Sequence, residues 1–355
     1  MAFIKRLLLF LLLVLSGAAA WKLACAWDET GLTKLGDDVY ARIVSPDGEA
    51  VGNSGFVVWD DCVLVFDTHF TPEAGQALLA SIRSVTSKPV CYVVNSHYHA
   101  DHTHGNQVFE QAQIIGSTNA RRDELELDLP SLNRTLGVAR TQLRQLEREI
   151  ANSSDSGREL SSRVQIRNLQ QYLDNLSRLH IQAPAVTLDD RMIIKNGQRE
   201  AEIRFLGEGH TDGDLVLILA SAKIAFLGDL FFNDAIPNVQ DARILKWMET
   251  LQKISKLEAD TFVPGHGPVG DKKALERFLN YFRDLKASVE ISVDRGDSVE
   301  QAIQEIKMPA KYSSYHFQNF FPANVQKMYA EIKALRIAAQ AAKNPSKSRG
   351  KKAND

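Results

Sequence analysis

The sequence predicts an α/β layered domain that is interrupted by a helical hairpin and extended by C-terminal helices. Three observations carry this expectation. Short apolar β-like runs alternate with helical segments over much of the chain. Between about Asn119 and Gln182, leucines recur at spacings of three and four, the period of a helix. Beyond Asp229 the apolar runs again take helical spacing.

Taken in order, the elements begin with a segment unlike the rest. "MAFIKRLLLFLLLVLSGAAAWKLACAW" has a basic start (Lys5, Arg6), an apolar run from Leu7 to Leu15, then small residues at Ala18 to Ala20 and Ala24 to Ala26. This is the pattern of a signal peptide over residues 1–26, cleaved after Ala20 or Ala26. The apolar run is shorter than the roughly 20 residues that span a bilayer, so an N-terminal anchor is the weaker reading. The expected location is periplasmic or secreted.

The first part of the domain is expected over residues 33–118. Its strands are "VYARIVS", "GFVVWD" and "CVLVFDT", followed by a helix from Pro72 to Thr86 and the apolar run "PVCYVVN". Residues 119–182 form the hairpin. Leu129, Leu132, Leu136, Ala139, Leu143, Leu146 and Ile150 make one stripe and Ile166, Leu169, Leu173 and Leu176 another, with "ANSSDSG" between them. Packing of these stripes on each other or on the core is the plain reading; a lid or a homodimer surface is the functional one. The second part, residues 183–270, holds "AVTLDD", "RMIIKN", "EAEIRFLG" and "LVLILASAKIAFLGD". Helices follow over 271–341, and residues 342–355 are a basic tail expected to be disordered.

Composition limits function. The 355 residues are 24% charged with a net charge of -2, which gives no electrostatic footprint for nucleic acid. A small molecule is the expected partner. Cys62 and Cys91 are expected as two free thiols, with a pairing between them as the alternative.

The chemistry concentrates in "NSHYHADHTHGN", which leaves the apolar run at Asn95. In extended backbone, side chains two apart point the same way, so His97 and His99 can share one metal ion. Asp101 and His102 follow where the chain turns and can face a second ion. His210 in "GEGHTDGD", Asp229 in "AFLGDLF" and His266 in "FVPGHGPV" each lie in a glycine-marked loop, where backbone comes close and a side chain is presented. These are seven candidate ligands. The other histidines read as peripheral: His104 is a rim residue or a proton donor, His69 a residue near the site, and His180 part of a helix surface. "KYSSYHFQNFF", with Tyr312, Tyr315, His316, Phe317, Phe320 and Phe321, reads as a packed cap, or alternatively as a substrate wall.

"HYHADH", "GHTDGD", "LGD" and "PGHG", in that order after a strand ending "VFDT", resemble the metallo-β-lactamase superfamily. The resemblance covers about Val39 to Val269 and implies a four-layer αββα sandwich with its site at one edge between two sheets. It implies two divalent ions, zinc first with iron or manganese as alternatives. His97, His99 and His210 would hold one ion, Asp101, His102 and His266 the other, and Asp229 would bridge them. Asp67 would hydrogen-bond a ligand from behind. Such a site implies a metal-bridging hydroxide as nucleophile, with Asp101 orienting the water or shuttling a proton.

The departures narrow the substrate. Lactam-hydrolysing members often carry cysteine at the place of Asp229, and some a carboxylate-binding lysine at the place of Phe232. Phe231 and Phe232 instead suggest a pocket for an apolar moiety, with His104 and His69 as further lining. The expectation is an exported dinuclear hydrolase of an ester, thioester, lactone or β-lactam-like bond. The alternatives are a β-lactamase proper and, in another class, an iron-dependent sulfur dioxygenase or redox protein.

Overall fold

Two β-sheets lie face to face, because several strands are apolar on both sides and each side needs a partner. The computed structural model describes residues 31–45, 50–151 and 156–343. The expected signal peptide lies outside the described residues, as does the expected basic tail from residue 344 on; its first two residues, Ala342 and Lys343, are helical. Among the described residues, no helix is long and apolar enough to cross a membrane.

The first sheet runs β1 (Leu32–Gly36), β2 (Val39–Arg42), β3 (Ser54–Val58), β4 (Val63–Phe66), β5 (Val90–Val94), β6 (Gln113–Ser117) and β7 (Val186–Leu188), in that spatial order. It is antiparallel up to β4 and parallel from β4 to β7. The second sheet has the order β12 (Thr261–His266), β11 (Ile224–Phe232), β10 (Leu215–Leu219), β9 (Arg199–Phe205) and β8 (Arg191–Asn196), with β11 and β12 parallel.

The period-two alternation of strands builds three apolar layers. In β10, Leu215, Leu217 and Leu219 face the inter-sheet core, where they meet Leu64 and Phe66 of β4; Val216 and Ile218 face the other way. Outside the first sheet, Val63, Val65 and Val93 pack with Leu78 and Ile82 of α1 (Pro72–Val85). Thr71 caps that helix by accepting from Ala74 N, and Pro72 occupies its first position. Outside the second sheet, Val216, Ala225 and Leu227 join Trp247, Phe278, Phe282 and Met328. These come from three further helices, Ile244–Ile254, Lys272–Arg295 and Phe321–Lys343. The order helix, sheet, sheet, helix is the predicted αββα sandwich with its C-terminal helical extension.

Short α2 (Ala100–Thr103) and α3 (Thr118–Asp123) follow β5 and β6, and a single π-helical turn spans Glu124–Asp128. The hairpin is α4 (Leu129–Ala151) and α5 (Ser156–Ser177); the second-sheet helices are then α6 (Ile244–Ile254), α7 (Lys272–Arg295) and α9 (Phe321–Lys343), with α8 (Val299–Glu305) between the last two. Two compact units result, one containing Leu129–His180 and the other built from Leu32–Asp128 and the chain from Ile181 onward. The hairpin unit has its own small core, in which Ala139, Leu169 and Leu173 are packed with Leu136, Leu143 and Leu146. Its stripes therefore pack on each other. It starts later than the expected boundary at 119, because α3 and the π turn belong to the α/β unit.

Candidate metal centre

All seven candidate ligands gather at one edge of the sandwich, on the segments that leave or enter strands there and, for Asp229, at a bulge within β11. Asp67 and the His97 loop follow the C-terminal ends of β4 and β5, His210 precedes β10, and Asp229 and His266 lie on β11 and β12. Parallel pairing sends β4 and β5, and again β11 and β12, out at the same edge. Within β11 the register shifts at Gly228, whose φ is +52, and this bulge turns Asp229 out of the ladder toward the histidines.

The ligand atoms form two groups. His97, His99, His210 and Asp229 bring one donor atom each within 4.8 Å of one another, as do Asp101, His102 and His266. Asp229 faces both: Oδ2 is 3.2 Å from His210 Nε2 and 4.0 Å from His97 Nε2. Its Oδ1 is 3.1 Å from His102 Nε2 and 3.3 Å from His266 Nε2. Asp101 Oδ2 closes the second group at 3.4 Å from His102 Nε2 and 3.3 Å from His266 Nε2.

This donor set fits two divalent cations. His97 Nε2, His102 Nε2 and Asp229 Oδ1 are buried without a hydrogen-bond partner, which is costly for polar atoms unless a cation satisfies them. Five imidazoles with two carboxylates are a nitrogen and oxygen set suited to zinc, iron or manganese. His99 and Asp101 are the least buried ligands and mark the accessible side.

Electrostatics divides the histidines. Burial lowers His210 to about 3 and, with His102 and His99 close by, holds His97 well below the ordinary imidazole range. Burial opposes charge on His266 and His102 too, but carboxylates outweigh it. Asp229 and Asp101 push His266 up to about 9, and these two with Asp67 raise His102 well above its usual value. Burial likewise disfavours the Asp229 and Asp101 carboxylates, yet the surrounding histidines hold both well below the usual range.

A further layer fixes which nitrogen each ring presents. Asp67, fully buried, accepts from Ser96 N at 2.7 Å and from Ser96 Oγ at 2.8 Å, and its Oδ2 is 2.9 Å from His102 Nδ1. Ser96 Oγ is also 2.9 Å from His97 Nδ1. One carboxylate thus orients His102 directly and His97 through Ser96. Ser96 was not singled out by the sequence, because a serine beside a histidine has no distinctive spacing. Asn53 was missed for the same reason; its side chain donates to Pro264 O and Gly267 O and so pins the loop that carries His266. Asp214 accepts from Thr211 N and Thr211 Oγ1 and closes the His210 loop.

Several expectations about the surroundings need correction. Phe231 is fully buried and packs on Phe278 of α7, so it is a core residue and not pocket lining. Phe232 is buried as well: it stacks on His266 at 4.9 Å and reaches His210 at 5.8 Å, walling the ligands from behind. His69 lies inside the fold with φ +71, and its Nδ1 is 2.7 Å from Gly52 O, which requires the proton on Nδ1. Its Nε2 then accepts from Ser54 Oγ and Arg42. His69 therefore holds the Gly52 turn, where an added Cβ would lie 2.7 Å from Asp101 O, and is fully buried. His104 is no ligand: its Nε2 is 2.9 Å from Asp128 Oδ2, and Phe70 stacks on its ring at 5.8 Å. His180 is exposed.

The aromatic C-terminal cluster divides between its two readings. Tyr312, Tyr315 and Phe321 are core, while Phe317 meets the His266 ring edge-on at 5.7 Å. Cys62 and Cys91 are free thiols; burial, then hydrogen bonding to Cys91, pushes Cys62 up to about 12. A cavity of about 340 Å³ beside Trp59, Arg199 and Ser221 lies by the C-terminal ends of β3 and β10, at the other edge of the sheets, and contains none of the ligands.

Comparison with known proteins agrees with this geometry. The family model described as "Metallo-beta-lactamase superfamily" matches residues 47–266. A linear primary-alkylsulfatase from a Pseudomonas species is 21% identical over 267 residues, covering 71% of this chain and 49% of that protein. A metallo-beta-lactamase type 2 from Bacillus cereus is 30% identical over 95 residues, covering 25% of this chain and 37% of its own length. The chain thus spans about half or less of these relatives. Among solved structures, a metallo-beta-lactamase from Pontibacter korlensis superposes with a TM-score of 0.52 at 19% identity, covering 71% of this chain and 98% of its own. One from Erythrobacter litoralis gives 0.50 at 16%, covering 71% and 96%.

Proposed function

This chain belongs to the metallo-beta-lactamase superfamily, and on that premise we propose that it is a hydrolase holding two divalent ions, zinc first, that cleaves an ester-type bond in a substrate with an apolar moiety. The observation that carries this reading is Asp229, whose Oδ2 faces one group of histidines and whose Oδ1 faces the other. When bound, the two cations supply Lewis-acid activation of water and of the substrate's oxygen.

The chain's own residues do the rest. Ser96 and Asp67 keep Nε2 of His97 and His102 turned inward. Phe232 and Phe317, against His266, and Trp247, against His210, exclude water from the buried side. Asp101, half-buried on the accessible side with Oδ2 turned to His102 and His266, stays ionised there and is placed to orient the attacking water. No covalent intermediate on a side chain is needed.

The scissile bond is bounded by what stands at the rim. Phe70, 40% exposed and stacked on His104, offers an apolar surface beside the site. Phe232, buried and apolar, gives no cation to a substrate carboxylate, so a β-lactam ranks last. The alkylsulfatase relative adds a sulfate ester of a linear alcohol to the ester, thioester and lactone candidates. The complete second group, Asp101, His102 and His266, favours hydrolysis over the single-iron dioxygenase alternative. The basic start and apolar run at the N-terminus support an exported, periplasmic or secreted protein.

The test is metal analysis of the purified protein together with a panel of an alkyl sulfate, an aryl ester, a thioester, a lactone, a phosphodiester and a β-lactam. Two metal equivalents and chelator-sensitive turnover of at least one substrate are expected. A single bound iron with oxygen consumption would falsify the reading.

A further inference from the structure

We propose that Asp241 is a positioning residue for the first group of ligands, acting through His99, with Tyr98 bracing its carboxylate. Asp241 lies outside every motif of the sequence, on the segment joining β11 to α6. Its Oδ2 accepts from Tyr98 Oη at 2.8 Å and stands 3.0 Å from His99 Nε2. The other nitrogen of the same ring, Nδ1, is 2.8 Å from His210 Nε2, inside the ligand group.

An imidazole has two nitrogens, and a carboxylate can only accept a hydrogen bond. The Asp241 contact therefore assigns the proton of neutral His99 to Nε2 and leaves the Nδ1 lone pair for a cation. This is the reverse of His97 and His102, whose Nδ1 atoms are engaged by Ser96 and Asp67 and whose Nε2 atoms point inward. His99 is 17% exposed, and of its two ring contacts Asp241 is the one that is an obligate acceptor, whereas His210 Nε2 can donate or accept.

Tyr98 makes the arrangement specific. It is the residue between two ligands, and its hydroxyl binds the same carboxylate oxygen, so both donors hold Asp241 in one orientation. The segment carrying Asp241 is itself anchored to the site. Arg243 N donates to Gly209 O, next to His210, and Trp247 on α6 packs on the His210 ring at 5.5 Å. The part of this segment nearest α6 thereby touches two ligands of the first group, while its start, Asn233 N, donates to the backbone oxygen of His266 and leaves that ring's nitrogens untouched.

The inference rests on the two-metal reading, and the experiment separates them. Metal-free and zinc-loaded protein are compared for wild type, Asp241→Ala, Asp241→Asn and Tyr98→Phe, using chelator competition for each zinc equivalent and ¹⁵N imidazole shifts for the His99 tautomer. In Asp241→Ala, one equivalent should weaken by about 10- to 100-fold while the other stays within about threefold, and Tyr98→Phe should weaken the same equivalent less. Metal-free wild type should show His99 protonated at Nε2, and Asp241→Ala should lose that preference. Since Asp241 is 32% exposed and outside the core, the melting temperature of the metal-free variants should not fall. If wild type binds two equivalents but Asp241→Ala and Asp241→Asn bind both unchanged, or weaken both alike, this inference fails and the two-metal reading stands. If wild type binds no zinc, the two-metal reading fails, and the tautomer measurement alone then decides whether Asp241 fixes His99.

Discussion

At the scale of residues, the two ligand groups differ in the protons they hold before any cation arrives. Burial keeps His97 and His210 neutral, the latter at about 3. In the second group His266 sits at about 9, held there against burial by Asp229 and Asp101, so it is protonated at neutral pH. A cation entering that group must displace this proton, and each displaced proton weakens binding about tenfold per pH unit below its pKa. Filling the second group should therefore tighten steadily from pH 6.5 to 8.5 and release protons, whereas His97 and His210 should add little pH dependence to the first. Calorimetric zinc titrations of metal-free protein at three pH values in buffers of different ionisation heat would measure both. Equal pH dependence for the two equivalents would contradict the division.

At the scale of elements, the strands deliver the ligands and the glycines let them converge. A Cβ at Gly265 on β12 would fall 1.9 Å from Asp229 Oδ1, the oxygen turned toward His102 and His266. Gly265→Ala should consequently leave the secondary structure seen by circular dichroism intact while lowering zinc content below two equivalents, with the second group losing most. Full occupancy in that variant would show that the shared carboxylate tolerates displacement. The glycines also explain why this part of the site was legible. His97 and His99 announced themselves through the period of two in extended chain, and His210, Asp229 and His266 through the glycines beside them. Asp241 and Ser96 have no such local signature. Asp241 reaches His99 across 142 residues of sequence, and only the packing of α6 and its preceding loop brings them together. Phe231 was misplaced because alternation says that neighbouring strand residues differ in environment, not which helix covers each; α7 supplies Phe278 and takes Phe231 into the core.

At the scale of the whole molecule, the α/β unit is completed by segments on both sides of the hairpin, and this leads to a test of independence. The sandwich was legible because strands apolar on both faces, such as β4 and β10, demand covering layers on each side. The hairpin was legible from its leucine period, but its exact limits were not, since α3 and the π turn continue the helical pattern without leaving the α/β unit. The two points where the chain departs and returns are both tied to one short stretch. Asp128 bonds His104, and Gln182 O accepts from Asn106 Nδ2, two residues further along. The departure and return are thus held near each other by the loop that follows the metal ligands. The hairpin unit keeps its own core of Ala139, Leu169 and Leu173. Replacing residues 129–180 by a short Gly/Ser linker should then yield a cooperatively folding protein that still binds two zinc ions. The closure entropy of such a linker is small, changing by only about 0.6 kcal/mol for each doubling of its length. Thermal unfolding and metal content of the excised form would decide. Loss of cooperative unfolding would show that the α/β unit depends on the hairpin for stability. A cooperative fold with reduced zinc would show instead that the ligands need the hairpin to be present. If both properties survive, any change in turnover or substrate range of the excised form isolates what the insertion contributes to function.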